Sequence, residues 1–453
     1  MAPRVMVLPL PEQGHVTPLM ELSHRLVDHG MEVTFVCTER THALILGGLG
    51  HRTNGYEALG GIQLVAIPDG LADGDDRRDI SKSLAGLSWS IRGHVEELIR
   101  ATKVKWLVAD ATVVGMCYEV AKKLAVRIAC FSPMPAAYLG TLLRIPELIA
   151  DGFFDDNGIP KRQGAFLLAP NTPPLYTAHV PWGVAGGPEV QLTFFQNASR
   201  NAQAARLADM VLCNTFHDAE AVAFELYPEI LPIGPLFADG KTVGQFLPED
   251  TRCIKWLDAH ADNSVVYAAF GSTTVFDPSQ IQELAEGLEL AGRPFLWVVR
   301  PDFSSGFGGL RKAWFDEFEN RTAGKGMVVS WCAQQQVLAH RAVGCFLTHC
   351  GWHSVLEALR NGVPMLCWPY FFDHFTIRSY ISDVWRTGLA MSPGEDGAIS
   401  KEEVSTMVER VITDHVIGER ARILGDAACR SLAKGGSSYE NFQKFVNILK
   451  ATL

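Results

Sequence analysis

"LTHCGWHSVLEALRNGVPMLCWPYFFDH", residues 347–374, decides the fold. It reads as a strand ending at Thr348, a short apolar helix opening near His353, and a second strand through "PMLCWP". Apolar strands joined through helices belong to parallel sheets covered on both faces. Its polar groups, His349, His353, Ser354, Glu357, Asp373 and His374, cluster where the chain leaves a strand. A unit built for packing alone would leave such positions to Gly, Asn and Ser. These side chains therefore face a ligand.

The same grammar extends outward in both directions. "RVMVLPL", "MEVTFVC", "KWLVAD" and "RIACFS" read as strands. They alternate with helical stretches such as "TPLMELSHRLVDHG", with Pro18 near its start and Leu19, Leu22 and Leu26 on one face. A polar, Gly- and Pro-containing stretch at 237–250, "FADGKTVGQFLPED", interrupts the alternation. It restarts with "SVVYAAFGS", "PFLWVVR", "GMVVSW" and "GCFLTH". Asp277 with Pro278 and Gln280, and Ser400 with Glu403, read as capping boxes. The pattern predicts an α/β protein of two doubly wound, Rossmann-like domains facing across a cleft: 1–240, a linker at 241–250, and 251–436. Residues 167–189 read as a long irregular loop.

A chain of 453 residues is too long for one ordinary core, which agrees with two domains. A net charge of −10 argues against nucleic acid as a partner, since phosphate contacts need a Lys/Arg surplus. The N-terminus "MAPRVMVLPLPEQGH" does not read as a signal peptide, and no run reaches the roughly 18–20 apolar residues of a membrane span. Most of the ten cysteines (Cys37, Cys130, Cys213 and Cys367 among them) sit in apolar segments, which predicts reduced, buried thiols and a cytoplasmic protein. The glycosylation triplets at Asn197 and Asn320 read as chance. Cys345, His349 and Cys350 fit no zinc spacing, so no metal is expected. "GGLG" at 47–50 and "GGLR" at 308–311 are not the turn of a dinucleotide fold, and there is no Walker loop. A dehydrogenase reading is correspondingly weak.

In open parallel sheets, ligands sit beyond the carboxyl ends of the strands. Here those ends deliver His15, Asp110, Ser272, His349, Asp373 and His374. The helix after His349-Cys350-Gly351 points free N–H groups and its positive dipole end at the same place, where a phosphate would be held. Glu357 lies one turn after Ser354 on the face of His353 and suits vicinal ribose hydroxyls. Trp331 offers a flat ring for a base. Base, ribose and phosphate groups together describe a nucleotide.

The segment Trp331–His374, "WCAQQQVLAHRAVGCFLTHCGWHSVLEALRNGVPMLCWPYFFDH", resembles the signature box of the plant family 1 UDP-glycosyltransferases. "LPEQGHVTPLMELSHRL" and "LPIGPL" are similar to the same family's N-terminal and pre-linker stretches, so the resemblance runs the whole chain. It implies the GT-B fold, with a C-terminal helix at about 437–453 packed back on the first domain. It also implies a monomer without prosthetic group, a UDP-sugar co-substrate (UDP-glucose first), and a small lipophilic acceptor such as a flavonoid or other phenol. Carried over by position, Trp331 stacks on uracil, Ala333 and Gln334 meet uracil and ribose, and Glu357 holds the ribose hydroxyls. Ser272, His349, His353 and Ser354 face the diphosphate, while Trp352, Asp373 and His374 face the sugar. His15 matches the base and Asp110 its partner. Trp89, Met134, Tyr138, Phe194, Phe371 and Phe372, with Phe195, are candidates to line an apolar acceptor pocket.

Two positions depart from the family's pattern. His353 stands where Asn is usual, and His374 where Gln is usual. A terminal His has been associated with galactose or pentose donors, so a galactosyl- or pentosyltransferase is the alternative. A nucleotide-binding protein without catalysis is a further one, for which His353 argues. The chemistry itself is coherent: a hydroxyl needs a base near neutral pH, a carboxylate steadies the resulting imidazolium, and direct attack inverts the anomeric carbon.

Overall fold

Val5, Met6, Val7 and Leu8 are almost wholly buried in the first strand, and the same unbroken burial recurs in the central strands that follow. Strands covered on both faces need helices on both sides, which is the arrangement found. The computed structural model describes residues 2–49, 59–75, 77, 80–170, 172–183, 187–237, 240–300 and 312–451. The chain separates into two compact units: Met1–Leu247 with Phe371–Asp373 and Ser431–Leu453, and Pro248–Tyr370 with His374–Arg430.

Unit 1 holds β1 (Arg4–Leu8), β2 (Glu32–Thr38), β3 (Gln63–Ile67), β4 (Trp106–Asp110), β5 (Arg127–Ser132), a small antiparallel pair β6 (Ala165–Phe166) and β7 (Leu175–Tyr176), β8 (Met210–Cys213) and β9 (Ile230–Pro232). Its main sheet is parallel throughout, in the order β3-β2-β1-β4-β5-β8-β9. The order reverses at β1, which lies between β2 and β4. The C-terminal helix Ser437–Lys450 adds Phe442, Phe445, Val446 and Leu449 to the core containing Val5, Leu22 and Phe35.

Unit 2 holds β10 (Val265–Ala269), β11 (Phe295–Val298), β12 (Gly326–Val329), β13 (Val343–Thr348), β14 (Met365–Cys367) and β15 (Gly388–Ala390). They form one parallel sheet, β12-β11-β10-β13-β14-β15, whose order reverses at β10. Ala268, Trp297, Leu347 and Leu366 on the sheet pack with Ile281, Leu284 and Val404 from flanking helices.

Several local expectations need correction. The first helix spans Gln13–Asp28, so Pro18 lies inside it. A proline this near the N-terminus forfeits one ladder bond, the one its N–H would have made to residue 14, and the helix tolerates that. Asp277 does accept from the N–H of Gln280 at 2.9 Å, but the Gln280 amide does not return the bond. It pairs instead with both backbone groups of Ile399, at 2.7 and 2.9 Å. Ser400 likewise accepts from the N–H of Glu403, while the Glu403 carboxylate takes the N–H of Ser392. The stretch 167–189 is not wholly irregular: β7 pairs with β6, and Trp182 is buried against Phe154 and Phe195 with its indole N–H on the carbonyl of Gly158. "GGLR" at 308–311 lies outside the described residues.

Candidate active site

In unit 1 the helix Gln13–Asp28 leaves β1 at the point where the strand order reverses, and β4 ends beside it at Asp110. Ligands of open α/β sheets collect at such switch points. His15 Nδ1 lies 2.7 Å from Asp110 Oδ2. Asp110 is fully buried, and its Oδ1 accepts from the N–H and the hydroxyl of Thr112 at 2.8 and 2.7 Å. With both oxygens of the carboxylate occupied, the His15 ring is held by Nδ1–H and keeps the lone pair of Nε2. Burial alone would lower the His15 pKa. The charge and hydrogen bond of Asp110 outweigh it, with Asp373 and Glu12 adding to them, and the net shift is upward.

Met134 and Tyr138 are buried at the start of the helix Ala136–Leu143. That helix is capped from a distance: the buried Glu220 carboxylate accepts the N–H groups of Ala136 and Ala137, both at 2.9 Å. Phe194 sits 5.9 Å from Phe372, which in turn meets Phe371 at 4.7 Å. Phe195 points the other way, into the Trp182 cluster. Phe372 has φ +50, an unusual value for a bulky side chain. Beside it Asp373 is pushed up to about 7 by burial, against the pull of His15. Trp89 stands apart from these residues in exposure: it is 74% exposed on the helix Ile80–Thr102.

In unit 2 the reversal lies at β10 and β13, paired through Ala269 and Thr348. His349 follows β13 and is buried between two glycines: a Cβ at Gly271 or Gly351 would come within 2.4 Å of its Nε2. Gly271 also has φ +68. Both positions therefore require glycine, and the requirement ties the loop after β10, with the partly exposed Ser272, to the loop after β13. Cys350 at φ +70 then turns the chain into the helix Trp352–Arg360, whose N-cap Gly351 supplies no side-chain bond. Like those of any helix, its first N–H groups have no acceptor within the helix.

Around this helix end a polar chain runs inward. Tyr267 Oη donates to Gln334 Oε1 at 2.9 Å. The Gln334 amide donates to Ser354 Oγ at 2.8 Å and to Glu357 Oε2 at 2.6 Å. His353 Nε2 lies 3.4 Å from Glu357 Oε1, one turn along the same helix. Burial would raise the Glu357 pKa, but His353, Gln334 and Gln335 outweigh it and favour the carboxylate. His374 opens the helix His374–Ser379, buried, with its ring edge-on to His349 at 4.9 Å. Burial lowers the His349 pKa to about 4, and burial and His349 lower that of His374 well below the usual value, so both rings are neutral near pH 7.

The remaining candidates fall as follows. Trp331 is half-buried after β12, its carbonyl accepting from the N–H of Asp250 at 2.9 Å, and Ala333 is the N-cap of the helix Gln334–Leu338. Trp352 is buried at the first position of its helix, its ring 6.1 Å from that of Trp385. Sequence reasoning missed Tyr267, Thr112 and Arg300. Thr112 had a signal, since an Asp two residues before a Thr is an Asx-turn pattern. Arg300, buried at the end of β11, donates to the carbonyl of Thr274 at 2.9 Å and lies close enough to depress His349 further. Among the described residues no group of three His, Cys, Asp or Glu is arranged around a metal, and no helix is long and apolar enough to cross a membrane. Nine of the ten cysteines are buried; Cys429 is exposed.

The family model of UDP-glucoronosyl and UDP-glucosyl transferases matches residues 206–426. The chain is 37% identical to UDP-glycosyltransferase 83A1 of Arabidopsis thaliana, over 99% of this chain and 97% of that protein. It is 30% identical to a 7-deoxyloganetin glucosyltransferase of Catharanthus roseus, over 99% and 97%. Among solved structures, Os79 from O. sativa in complex with UDP superposes with a TM-score of 0.80 at 27% identity, over 98% and 100% of the two chains. Phytolacca americana UGT2, complexed with UDP-2fluoro-glucose and pterostilbene, gives 0.79 at 25%, over 98% and 99%. With two parallel-sheet α/β units, and with relatives matched along almost its whole length, this chain belongs to the plant family 1 UDP-glycosyltransferases, enzymes of the GT-B fold.

Proposed function

We propose that the protein transfers a sugar, glucose first, from a UDP-sugar to a hydroxyl of a small lipophilic acceptor such as a phenol or flavonoid, with inversion at the anomeric carbon. The observation that carries the reading is the His15–Asp110 pair at 2.7 Å at the switch point of unit 1. His15 Nε2 takes the acceptor's hydroxyl proton as the oxygen bonds the anomeric carbon. The bond from that carbon to the diphosphate oxygen breaks, and its electron pair leaves with UDP. Asp110 offsets the positive charge gained by the ring. An α-linked donor yields a β-glycoside.

Unit 2 takes the donor in this reading. Trp331 stacks on uracil, with Ala333 and Gln334 beside it, and Glu357 accepts from the ribose hydroxyls. The diphosphate lies against Ser272, His349, His353, Ser354 and the N-terminal end of the helix Trp352–Arg360, whose N–H groups and dipole favour the departing charge. His374 and Asp373 read the sugar hydroxyls, and Trp352 stands beside them at the start of the helix. Met134, Tyr138, Phe194, Phe371 and Phe372 offer apolar surface to the acceptor. The relatives named above support glucose, as one of them is a glucosyltransferase and another was solved with a UDP-glucose analogue.

The test is incubation with UDP-glucose, UDP-galactose and UDP-xylose against a panel of phenols, with products identified by mass and the anomer by proton coupling. A β-glucoside as the main product supports the reading. Donor hydrolysis without glycoside, or an α-glycoside, contradicts it.

A further inference from the structure

His353 stands at the second position of the helix Trp352–Arg360, and its imidazole reaches one turn forward to Glu357, 3.4 Å away. A carboxylate has about four lone-pair directions. His353, Gln334 and Gln335 take three of them, which leaves about one for a ribose hydroxyl. Gln334 is itself anchored by Tyr267 at 2.9 Å. The His353 side is the adjustable one, because an imidazole can change its charge and an amide cannot.

We propose that His353 makes sugar-nucleotide binding proton-linked: the imidazole takes up a proton from solvent as the diphosphate arrives and, charged, holds Glu357 in place for the ribose. The proposal rests on the reading of unit 2 as the donor site. A sugar nucleotide brings two negative charges to a helix end that already carries the Glu357 carboxylate. The neighbouring imidazoles cannot answer them, since burial holds both His349 and His374 neutral. Arg300, behind His349, is a fixed cation, and Gln334 and Gln335 on the preceding helix are uncharged. Glu357 lies on the helix of His353 itself, and Asp373, which burial pushes up to about 7, is a second group that titrates near neutral pH in the donor reading. His353 is a positioning residue in this account, acting through Glu357.

The test is calorimetric titration of UDP-glucose, whose diphosphate is esterified at both ends and does not titrate near neutral pH. Each titration is run in two buffers of different ionisation enthalpy, so that the difference in heat counts protons. Wild-type protein is expected to take up a fraction of one proton. Its Kd should weaken with rising pH, at most about tenfold per pH unit for a single linked proton. His353→Asn and, as a second variant, His353→Gln should bind with little uptake and a nearly flat profile. Equal uptake in wild type and His353→Asn, or a flat wild-type profile, overturns the proposal. Failure of the wild type to bind UDP-glucose at all overturns the donor-site reading, and this proposal with it.

Discussion

His15 and Asp110 share one hydrogen bond of 2.7 Å, and Thr112 fills the other oxygen of Asp110 through its N–H and its hydroxyl. The carboxylate thus cannot turn away from the ring, and the ring presents Nε2. The carboxylate favours the imidazolium enough to overcome burial, so the His15 pKa lies above 6.5 in the folded chain.

A base works in its neutral form, so kcat/KM is expected to fall as pH drops through that raised pKa. Asp110→Asn removes the charge that opposes burial. The acid limb should then move to lower pH while kcat falls by about 10²-fold or more. The same shift acts on stability with a definite sign. A folded-state pKa above the unfolded one contributes stability that is complete below the unfolded value near 6.5 and is lost as pH rises through the folded value. A pH–rate profile of both proteins checks the first expectation; identical acid limbs would contradict it.

Gly351→Ala places a methyl group 2.4 Å from His349 Nε2, at a backbone conformation that tolerates alanine, so the clash alone acts. His349 must move, and with it the loop before the helix 352–360. UDP affinity should drop by about tenfold or more, the factor of a small steric cost of 1–3 kcal/mol. Calorimetry with UDP reads it. Since His349 is itself placed against the diphosphate, the comparison is with His349→Ala, to which adding Gly351→Ala should cost little further, because the clashing ring is gone.

Tyr267→Phe removes the hydroxyl that holds the Gln334 carbonyl at 2.9 Å. Losing a hydrogen bond to this part-buried acceptor costs about 1 kcal/mol, part of it in the placement of Gln334 against Glu357. KM for the UDP-sugar should rise several-fold with kcat nearly unchanged, and steady-state kinetics at saturating acceptor would show it. A fall in kcat at constant KM would place Tyr267 elsewhere in the mechanism.

His374 is a neutral, buried ring set edge-on to His349, with one donor and one acceptor. Glutamine offers two donors on a flexible amide, so the two side chains should prefer different hydroxyl patterns. His374→Gln is expected to shift the kcat/KM ratio of UDP-glucose over UDP-galactose or UDP-xylose towards glucose, by about one to two factors of ten. An unchanged ratio would show that this position does not read the sugar.

Much of this was legible in the sequence because parallel strands buried on both faces are unbroken apolar runs, and polar residues at their ends stand out. His15, Asp110, His349 and His374 were visible in that way. The side-chain partners were not. Gln280 and Glu403 are spaced to close their capping boxes, yet other backbone groups compete and win. Trp352 opens its helix buried, with its ring 6.1 Å from that of Trp385, a partner 33 positions on that nothing local in the sequence reveals. Tyr267 reads as one more core residue of β10, since nothing local reveals that its hydroxyl reaches Gln334 across 67 positions. Trp89, a candidate for the apolar pocket, is 74% exposed, a degree of exposure that the sequence does not reveal.

The central claim is that His15 moves the proton and does not hold the nucleotide. Its most direct test is His15→Ala, assayed for transfer from UDP-glucose and, separately, for UDP binding by calorimetry. Transfer should fall by about 10²–10⁴-fold while the Kd for UDP stays within about twofold of the wild type. Transfer at the wild-type rate in His15→Ala, or a loss of transfer explained by a matching loss of UDP affinity, would contradict it.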